Sequence, residues 1–195
     1  MFHKPSQPTT TKHSALRPFL ILWSTQAFSA LGSAMTAFAL IVWSYQRQGS
    51  ALSTALLSVC TYAPYVLFSL FAGALSDRWP KRATMLVCDT LAALSTLAVL
   101  LLHLGGGLRL SHLYLINALN GLMNTVQQPA GELAVSLLAP REQYQRVSGL
   151  RSLSNALVTM LAPALATAVT AFAGLTAVLL FDLATFCVAF VALLG

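Results

Sequence analysis

Amide side chains recur at helical spacing along residues 117–128 of this sequence. Steps of three or four residues place them on one face of a helix. The amides are Asn117, Asn120, Asn124, Gln127 and Gln128. Because an amide in an apolar environment is costly without a partner or water, this face must point to a protein interface or to a wet cavity. Five amides exceed what contacts between helices need, so the pattern favours a cavity lining.

A weaker pattern of the same kind lies nearer the N-terminus. Gln26, Ser29, Ser33 and Thr36 follow the same three- and four-residue steps. Small hydroxyl side chains also join neighbouring helices in membranes, and a helix contact explains Ser29 and Ser33 equally well. Both interpretations stay open here. We take Gln26, Ser29 and Ser33, with the amides at 117, 120, 124 and 127, as the candidate substrate cavity.

Acidic residues inside apolar segments form a third group. Asp77, Asp89 and Glu132 fall towards the same end of their segments as three basic residues. The basic residues are Arg78, Lys81 and Arg82. An ionised group in a membrane span usually has a partner and a role. These charges form either a static network that holds helix ends or one that breaks and reforms between states, and the pattern does not separate the two.

Asp182 differs from the other acids because no basic residue lies near it in its segment. It is either a proton site or a protonated side chain that hydrogen-bonds a neighbouring helix. We take Asp89 and Asp182 as the candidate proton-coupling residues.

The segments that carry these residues are strongly apolar. The 195 residues are 57% hydrophobic and 8% charged, with a mean hydropathy of +0.74. A soluble domain carries about 25% charged residues. This composition therefore excludes a soluble enzyme, a nucleic-acid-binding module and a disordered tail. A membrane span needs about 20 apolar residues, so the chain holds about six spans with short loops.

The sequence thus predicts an all-α membrane protein with a polar cytoplasmic tail at 1–16 and a six-helix transmembrane domain at 17–195. The spans are placed at 18–45, 53–75, 83–104, 112–131, 147–172 and 176–195. The end of the fourth span is ambiguous, because the apolar stretch at 133–139 could continue its helix. Pro64 predicts a kink inside the second span, and Pro163 lies inside the fifth. Gly174 predicts a very short turn between the last two.

Basic residues indicate the orientation of these spans. Nine of the eleven fall on one side: Lys4, Lys12, Arg17, Arg78, Lys81, Arg82, Arg141, Arg146 and Arg151. Only Arg47 and Arg109 fall on the other. Because cytoplasmic loops are enriched in lysine and arginine, both termini are predicted to be cytoplasmic in a multi-pass cell-membrane protein. The net charge of +6 reflects this bias and not nucleic-acid binding.

Cysteine and nucleophile patterns do not favour a metal centre or an enzyme. Cys60, Cys88 and Cys187 lie singly in apolar segments without metal-ligand spacing, so we interpret them as small buried hydrophobic residues. No G-x-S-x-G turn or serine–histidine pair that an intramembrane protease would need is present. We expect no catalytic residue, no metal and no cofactor.

The segment at 73–82 reads Gly-Ala-Leu-Ser-Asp-Arg-Trp-Pro-Lys-Arg. It resembles the G-x-L-x-D-R-x-G-R-K loop between helices 2 and 3 of major facilitator superfamily transporters. The matching residues are Gly73, Leu75, Asp77 and Arg78, with Lys81 and Arg82 as the basic pair and Pro80 in place of the second glycine. This variant resembles the macrolide-efflux and enterobactin-exporter branch. The resemblance runs from about Arg17 to the end of the chain.

This resemblance implies the N-terminal half of a twelve-helix transporter, in which each six-helix half consists of two inverted three-helix repeats. Helices 1 and 4 would line a central cavity. The conformational-switch motif would comprise Gly73, Asp77, Arg78, Lys81, Arg82 and Glu132. Proton antiport would drive the efflux of small amphipathic compounds, with the proton gradient as energy source. One departure is that residues 162–166 keep the proline of the drug-antiporter G-P-x-x-G-G run but have alanines in place of its glycines.

The resemblance also implies a partner, because a lone half has nothing to move against. We expect a C-terminal six-helix half or a second copy of the chain, together with the lipid bilayer, a small amphipathic substrate and no nucleic acid. The alternative is a truncated remnant that does not transport.

Overall fold

The computed structural model describes the backbone of residues 17–78, 80–138 and 144–194. Its side chains are described at 23–69, 80, 83–127, 145 and 147–192. The chain forms α1 (Arg17–Gln48), α2 (Ala51–Arg78), α3 (Lys81–Leu104), α4 (Leu110–Leu138) and α5 (Tyr144–Leu194). Over these ranges the fold is entirely helical, as the composition predicts.

Helix α5 is 51 residues long and changes direction at Gly174. Gly174 has φ 78° and ψ 175°, a conformation outside the helical region that glycine adopts without a steric penalty. It divides α5 into two helical segments, which we call α5a (144–173) and α5b (175–194). The predicted turn between the last two spans lies at this residue. The arrangement of the helices as two inverted repeats stays a prediction.

Four stretches of the described chain are long and apolar enough to cross a membrane. They are Trp23–Gln48, Ala51–Ser69, Ala83–Leu104 and Val147–Ala192. Helix α4 is not among them, because the four amides in its described part lower its hydropathy. Val147–Ala192 contains both the fifth and the sixth predicted span, so these four stretches overlap five of the six predicted spans, and the six-span arrangement stays a prediction. Helix α4 also continues to Leu138, past the predicted exit at 131. Both α2 and α5a continue through their internal prolines without a break.

Close packing at two glycines joins the helices in pairs. Helix α1 packs mainly on α5, and α2 packs mainly on α4. At Gly32, a β-carbon would stand 2.5 Å from Thr185 Oγ1 and 3.0 Å from Asp182 Cα. At Gly121, a β-carbon would overlap the backbone carbonyl of Thr61. Small residues at such crossings let membrane helices approach closely, which is their usual role.

The outer surface of the bundle is rich in large apolar side chains. Phe172 is 93% exposed, Met160 75% and Leu52 73%. A surface of this kind is unsuited to water and suited to lipid or to a partner protein. The exposures of the three cysteines correct the prediction that all of them are buried. Cys88 is buried and Cys60 is half-buried, but Cys187 is exposed. An apolar segment does not imply burial in a membrane bundle, because the lipid-facing side is apolar as well.

Candidate functional site

A cavity of about 320 Å³ lies among α1, α3 and α4, with single contributions from α2 and α5b. It brings together all seven residues predicted for the substrate cavity and both candidate proton-coupling residues. The seven are Gln26, Ser29, Ser33, Asn117, Asn120, Asn124 and Gln127, and the two acids are Asp89 and Asp182. Apolar side chains such as Ile116 and Met123 complete the wall. The cavity is therefore polar but not uniformly so.

The amide face of α4 makes specific contacts along this cavity. Asn117 Oδ1 accepts a hydrogen bond from Thr61 Oγ1 at 3.3 Å, and Asn120 Oδ1 accepts one from Ser95 Oγ at 3.0 Å. Asn124 is exposed towards the cavity. The first two amides thus join α4 to α2 and α3 while they line the cavity. Helix contact and cavity lining, which the sequence presents as alternatives, occur together at these two residues.

Asp89 is the meeting point of three helices. Gln127 Nε2 donates a hydrogen bond to Asp89 Oδ1, and Gln26 Nε2 donates one to Asp89 Oδ2 at 3.4 Å. The half-buried carboxylate on α3 therefore holds α1 and α4 through neutral amides. Both described partners of Asp89 are uncharged, whereas the sequence places it with a basic cluster.

Asp182 is 4% exposed and accepts hydrogen bonds from two helices. Ser33 Oγ on α1 and Thr96 Oγ1 on α3 donate to Asp182 Oδ1 and Oδ2, each at 3.0 Å. Of the described side chains that line the cavity, none is basic. Asp182 thus connects α5b to α1 and α3 through hydroxyls alone.

Three of these contact residues are absent from the sequence-based prediction: Thr61, Ser95 and Thr96. Single hydroxyls are common in membrane helices, so none of them is distinctive in the sequence. One signal does exist on α3, where Asp89, Ala92 and Thr96 follow steps of three and four residues. This spacing places small and polar side chains on the face of α3 that meets the cavity.

The predicted switch motif spans the connection between α2 and α3. In the backbone, Gly73, Asp77 and Arg78 belong to the last turns of α2, and Lys81 and Arg82 begin α3. Glu132 belongs to α4. Their side chains lie outside the described residues, so the proposed ion pairs of this motif stay predictions.

We expect single cysteines on the amide face to react with a water-soluble maleimide, because these positions border the cavity. The measurement uses the native gene product with its own cysteines replaced by alanine, in vesicles open on both sides. The test positions are Asn117→Cys, Asn120→Cys, Asn124→Cys and Gln127→Cys. The exposed Asn124 position is expected to react fastest.

The matched controls lie on the opposite side of α4. Leu115 is 73% exposed and Leu119 41% exposed, and neither borders the cavity. In a bilayer these two positions face apolar surroundings, so cysteines there are expected to stay unlabelled. Equal labelling of the two faces, or protection of both, would contradict an aqueous cavity.

Comparison with known proteins gives a family match over most of the chain. Residues 22–195 match the profile of the Major Facilitator Superfamily. Two curated relatives, macrolide efflux protein A of Streptococcus pyogenes and the same protein of its serotype M6, are each 23% identical over 164 residues. The alignment covers 84% of this chain and 40% of either relative. The chain therefore spans about two fifths of the length of the relatives that it matches.

Proposed function

Since this chain belongs to the Major Facilitator Superfamily, and is thus a multi-pass membrane protein of a transporter family, we propose that it is the N-terminal half of a proton-coupled exporter of small amphipathic compounds. The observation that supports this most is the cavity between α1, α3 and α4, where amides, hydroxyls and two carboxylates stand beside apolar side chains. The similarity to an efflux protein supports export as the direction of transport.

The cavity lining suits amphipathic compounds. Amides and hydroxyls offer donors and acceptors without fixed charge, and Ile116 and Met123 offer apolar contact. Ligand cavities typically measure about 300–1,000 Å³. A cavity of about 320 Å³ in one half fits a small ligand or part of a larger one that a partner half would complete.

Asp89 gives a physical route for proton coupling. As a carboxylate it accepts hydrogen bonds from Gln26 and Gln127, and so it holds α1 and α4 to α3. On protonation one oxygen carries a hydrogen and becomes a weaker acceptor, so the amide that donates to it is held less firmly. Proton binding would thus loosen one of the two contacts. A substrate with its own polar groups could then compete for the freed amide.

The outer surface supports a partner within the membrane. Large apolar side chains are exposed along α2 and α5a, among them Leu52, Val66 and Met160. A C-terminal six-helix half or a second copy of the chain would cover part of this surface. The other candidate is a truncated remnant that does not transport, which the length relative to the curated relatives keeps open.

Expression of the native gene in a host that lacks major efflux pumps tests this proposal. We expect cells to accumulate less of at least one amphipathic fluorescent dye than cells with a frameshifted copy, and a protonophore to abolish the difference. In parallel, an antibody to residues 1–16 measures the size of the product in native membranes. Unchanged accumulation across a broad dye panel, with the product present in the membrane, would favour the remnant.

A further inference from the structure

We propose that amphipathic compounds reach the cavity laterally from the bilayer, through a groove between α3 and α4 that the side chain of Met123 closes. This inference rests on the proposed function and deepens it, because it assigns a route of entry and a gating residue. The groove is separate from the cavity described above and lies on the other side of the same two helices.

The groove between α3 and α4 suits a lipid-soluble group. It measures about 440 Å³ and runs along the first half of α3 from Pro80 to Leu91, with Leu122 and Val126 of α4 in its opposite wall. Ala83, which also lines it, is exposed on the outer surface of the bundle. At about 1.5 Å per residue this part of α3 is about 16 Å long, roughly half of a hydrocarbon core. The groove thus offers hydrocarbon chains a long contact surface.

The polar side-chain atoms in the groove are used within the protein. Thr84 Oγ1 donates a hydrogen bond to the carbonyl of Pro80 at 3.3 Å. Cys88 Sγ donates to the carbonyl of Met123 at 3.8 Å. The side chains of the groove therefore favour an apolar group over a polar one.

Met123 alone among the described residues lines both the groove and the cavity. Around it, consecutive residues face opposite spaces. Cys88 lines the groove and Asp89 the cavity, and Val126 lines the groove and Gln127 the cavity. The wall between the apolar groove and the polar cavity is therefore only one helix surface thick, and Met123 is the point where the two spaces meet.

Two hydrogen bonds between α3 and α4 frame the position of Met123. Gln127 Nε2 donates to Asp89 Oδ1 on one side, and Ser95 Oγ donates to Asn120 Oδ1 at 3.0 Å on the other. Along either helix the two bonds are about 10 Å apart at 1.5 Å per residue. We call the interval between these two bonds the window. The bonds hold the helices together at both ends of the window and leave its middle to side-chain packing.

The neighbours of Met123 in the window are small or weakly bound. Ala92 of α3 borders the cavity there with only a methyl group. The contact from Cys88 comes from a thiol, which is a weak donor. Met123 itself is half-buried, and methionine is unbranched and adapts its shape readily. A change of its rotamer can thus open the window while the framing bonds keep the helices in place.

The order of the two surfaces matches an amphipathic compound in a bilayer. Its apolar part contacts the groove first, and its polar part meets the amides of Asn120, Asn124 and Gln127 behind the window. A polar solute would lose its hydrogen bonds to water in the groove without replacement. Entry through the window therefore selects compounds that partition into the membrane.

A reporter cysteine behind the window tests this route without any transport. The reporter is Asn124→Cys in the native gene product, in open vesicles and with its own cysteines replaced by alanine. Labelling rates are compared for pyrene maleimide, which partitions into the bilayer, and a sulfonated maleimide, which stays in water. Met123→Ala is expected to raise the pyrene maleimide rate about tenfold, because opening no longer breaks the methionine contacts. The bulkier Met123→Phe is expected to lower it, and the sulfonated maleimide rate is expected to stay unchanged in both.

Met85→Ala is the matched control. Met85 is also a half-buried methionine of this helix pair, but it lines neither the groove nor the cavity. Its pyrene maleimide rate is expected to equal that of the parent protein. Size exclusion reports whether each variant is folded. If Met123→Phe does not fold, the comparison of Met123→Ala with Met85→Ala decides alone.

Equal pyrene maleimide rates in Met123→Ala and Met85→Ala would overturn the proposal and leave the groove to the acyl chain of a lipid. Parallel changes in the rates of both reagents would overturn it too, because Met123 would then control the cavity as a whole and not the entry from the bilayer. Dye export with labelling that is independent of Met123 rejects the route alone. Labelling that depends on Met123 in a protein without export rejects the exporter alone.

Discussion

Gly121→Ala is expected to remove most of the correctly folded protein. The added β-carbon would overlap the backbone carbonyl of Thr61, and a backbone atom cannot move aside by a change of rotamer. Helices α2 and α4 would have to separate along their contact, which is the main one that either helix makes with another. Overpacking of this kind commonly costs up to roughly 3 kcal/mol, and a backbone clash belongs at the upper end.

Gly149→Ala is the matched control for this prediction. Gly149 is also a helical glycine, but no atom lies within 4 Å of the position that its β-carbon would take. The measurement is the yield of monodisperse protein on size exclusion, together with the unfolding midpoint. We expect a clear loss for Gly121→Ala and wild-type behaviour for Gly149→Ala. Equal yield and midpoint for the two variants would show that α2 and α4 do not approach as closely as described.

Asp89→Asn is expected to abolish the dependence of export on the proton gradient while the protein stays folded. Asparagine keeps the shape of the side chain and one acceptor oxygen, but it cannot bind and release a proton. If proton binding at Asp89 loosens the contacts to Gln26 and Gln127, the variant cannot alternate between the two arrangements. We expect export of the dye to fall more than about tenfold, which corresponds to roughly 1.4 kcal/mol or more.

The comparison that isolates this effect uses Asp89→Glu and Val87→Ala. Glutamate restores a titratable group, and part of the proton-driven export is expected to return. Val87 lies on the same helix, is 55% exposed and does not border the main cavity, so its truncation is expected to leave export near the wild-type level. Full protonophore-sensitive export in Asp89→Asn would exclude Asp89 as a coupling residue. Asp182 would then be the remaining candidate.

Helical periodicity predicted which residues share a face, and the structure shows these faces around one cavity. Residues 117, 120, 124 and 127 could be grouped from sequence because three- and four-residue steps define a helix side whatever the helix packs against. The same argument grouped Gln26, Ser29 and Ser33. Their role in substrate binding stays a prediction.

Partners on other helices could not be predicted in the same way. Thr96 and Asp182 are 86 residues apart, and their contact depends on how α3 and α5b cross. The sequence groups Asp89 with basic residues because they lie close in sequence and depth, and this grouping stays a prediction; the contacts that its side chain makes to amides from α1 and α4 could not be read from the sequence. Periodicity gives the direction of a side chain from its own helix axis, whereas its partner is set by tertiary packing.

The turn at Gly174 also has a consequence for how the chain enters the bilayer. The apolar stretch Val147–Ala192 is 46 residues long, which at about 1.5 Å per residue is more than twice the roughly 30 Å of a hydrocarbon core. It is therefore too long for a single crossing, yet it contains no polar loop to be carried across the membrane. We infer that the insertion machinery receives α5a and α5b as one hairpin, so Asp182 would enter the bilayer in a segment already paired with its predecessor.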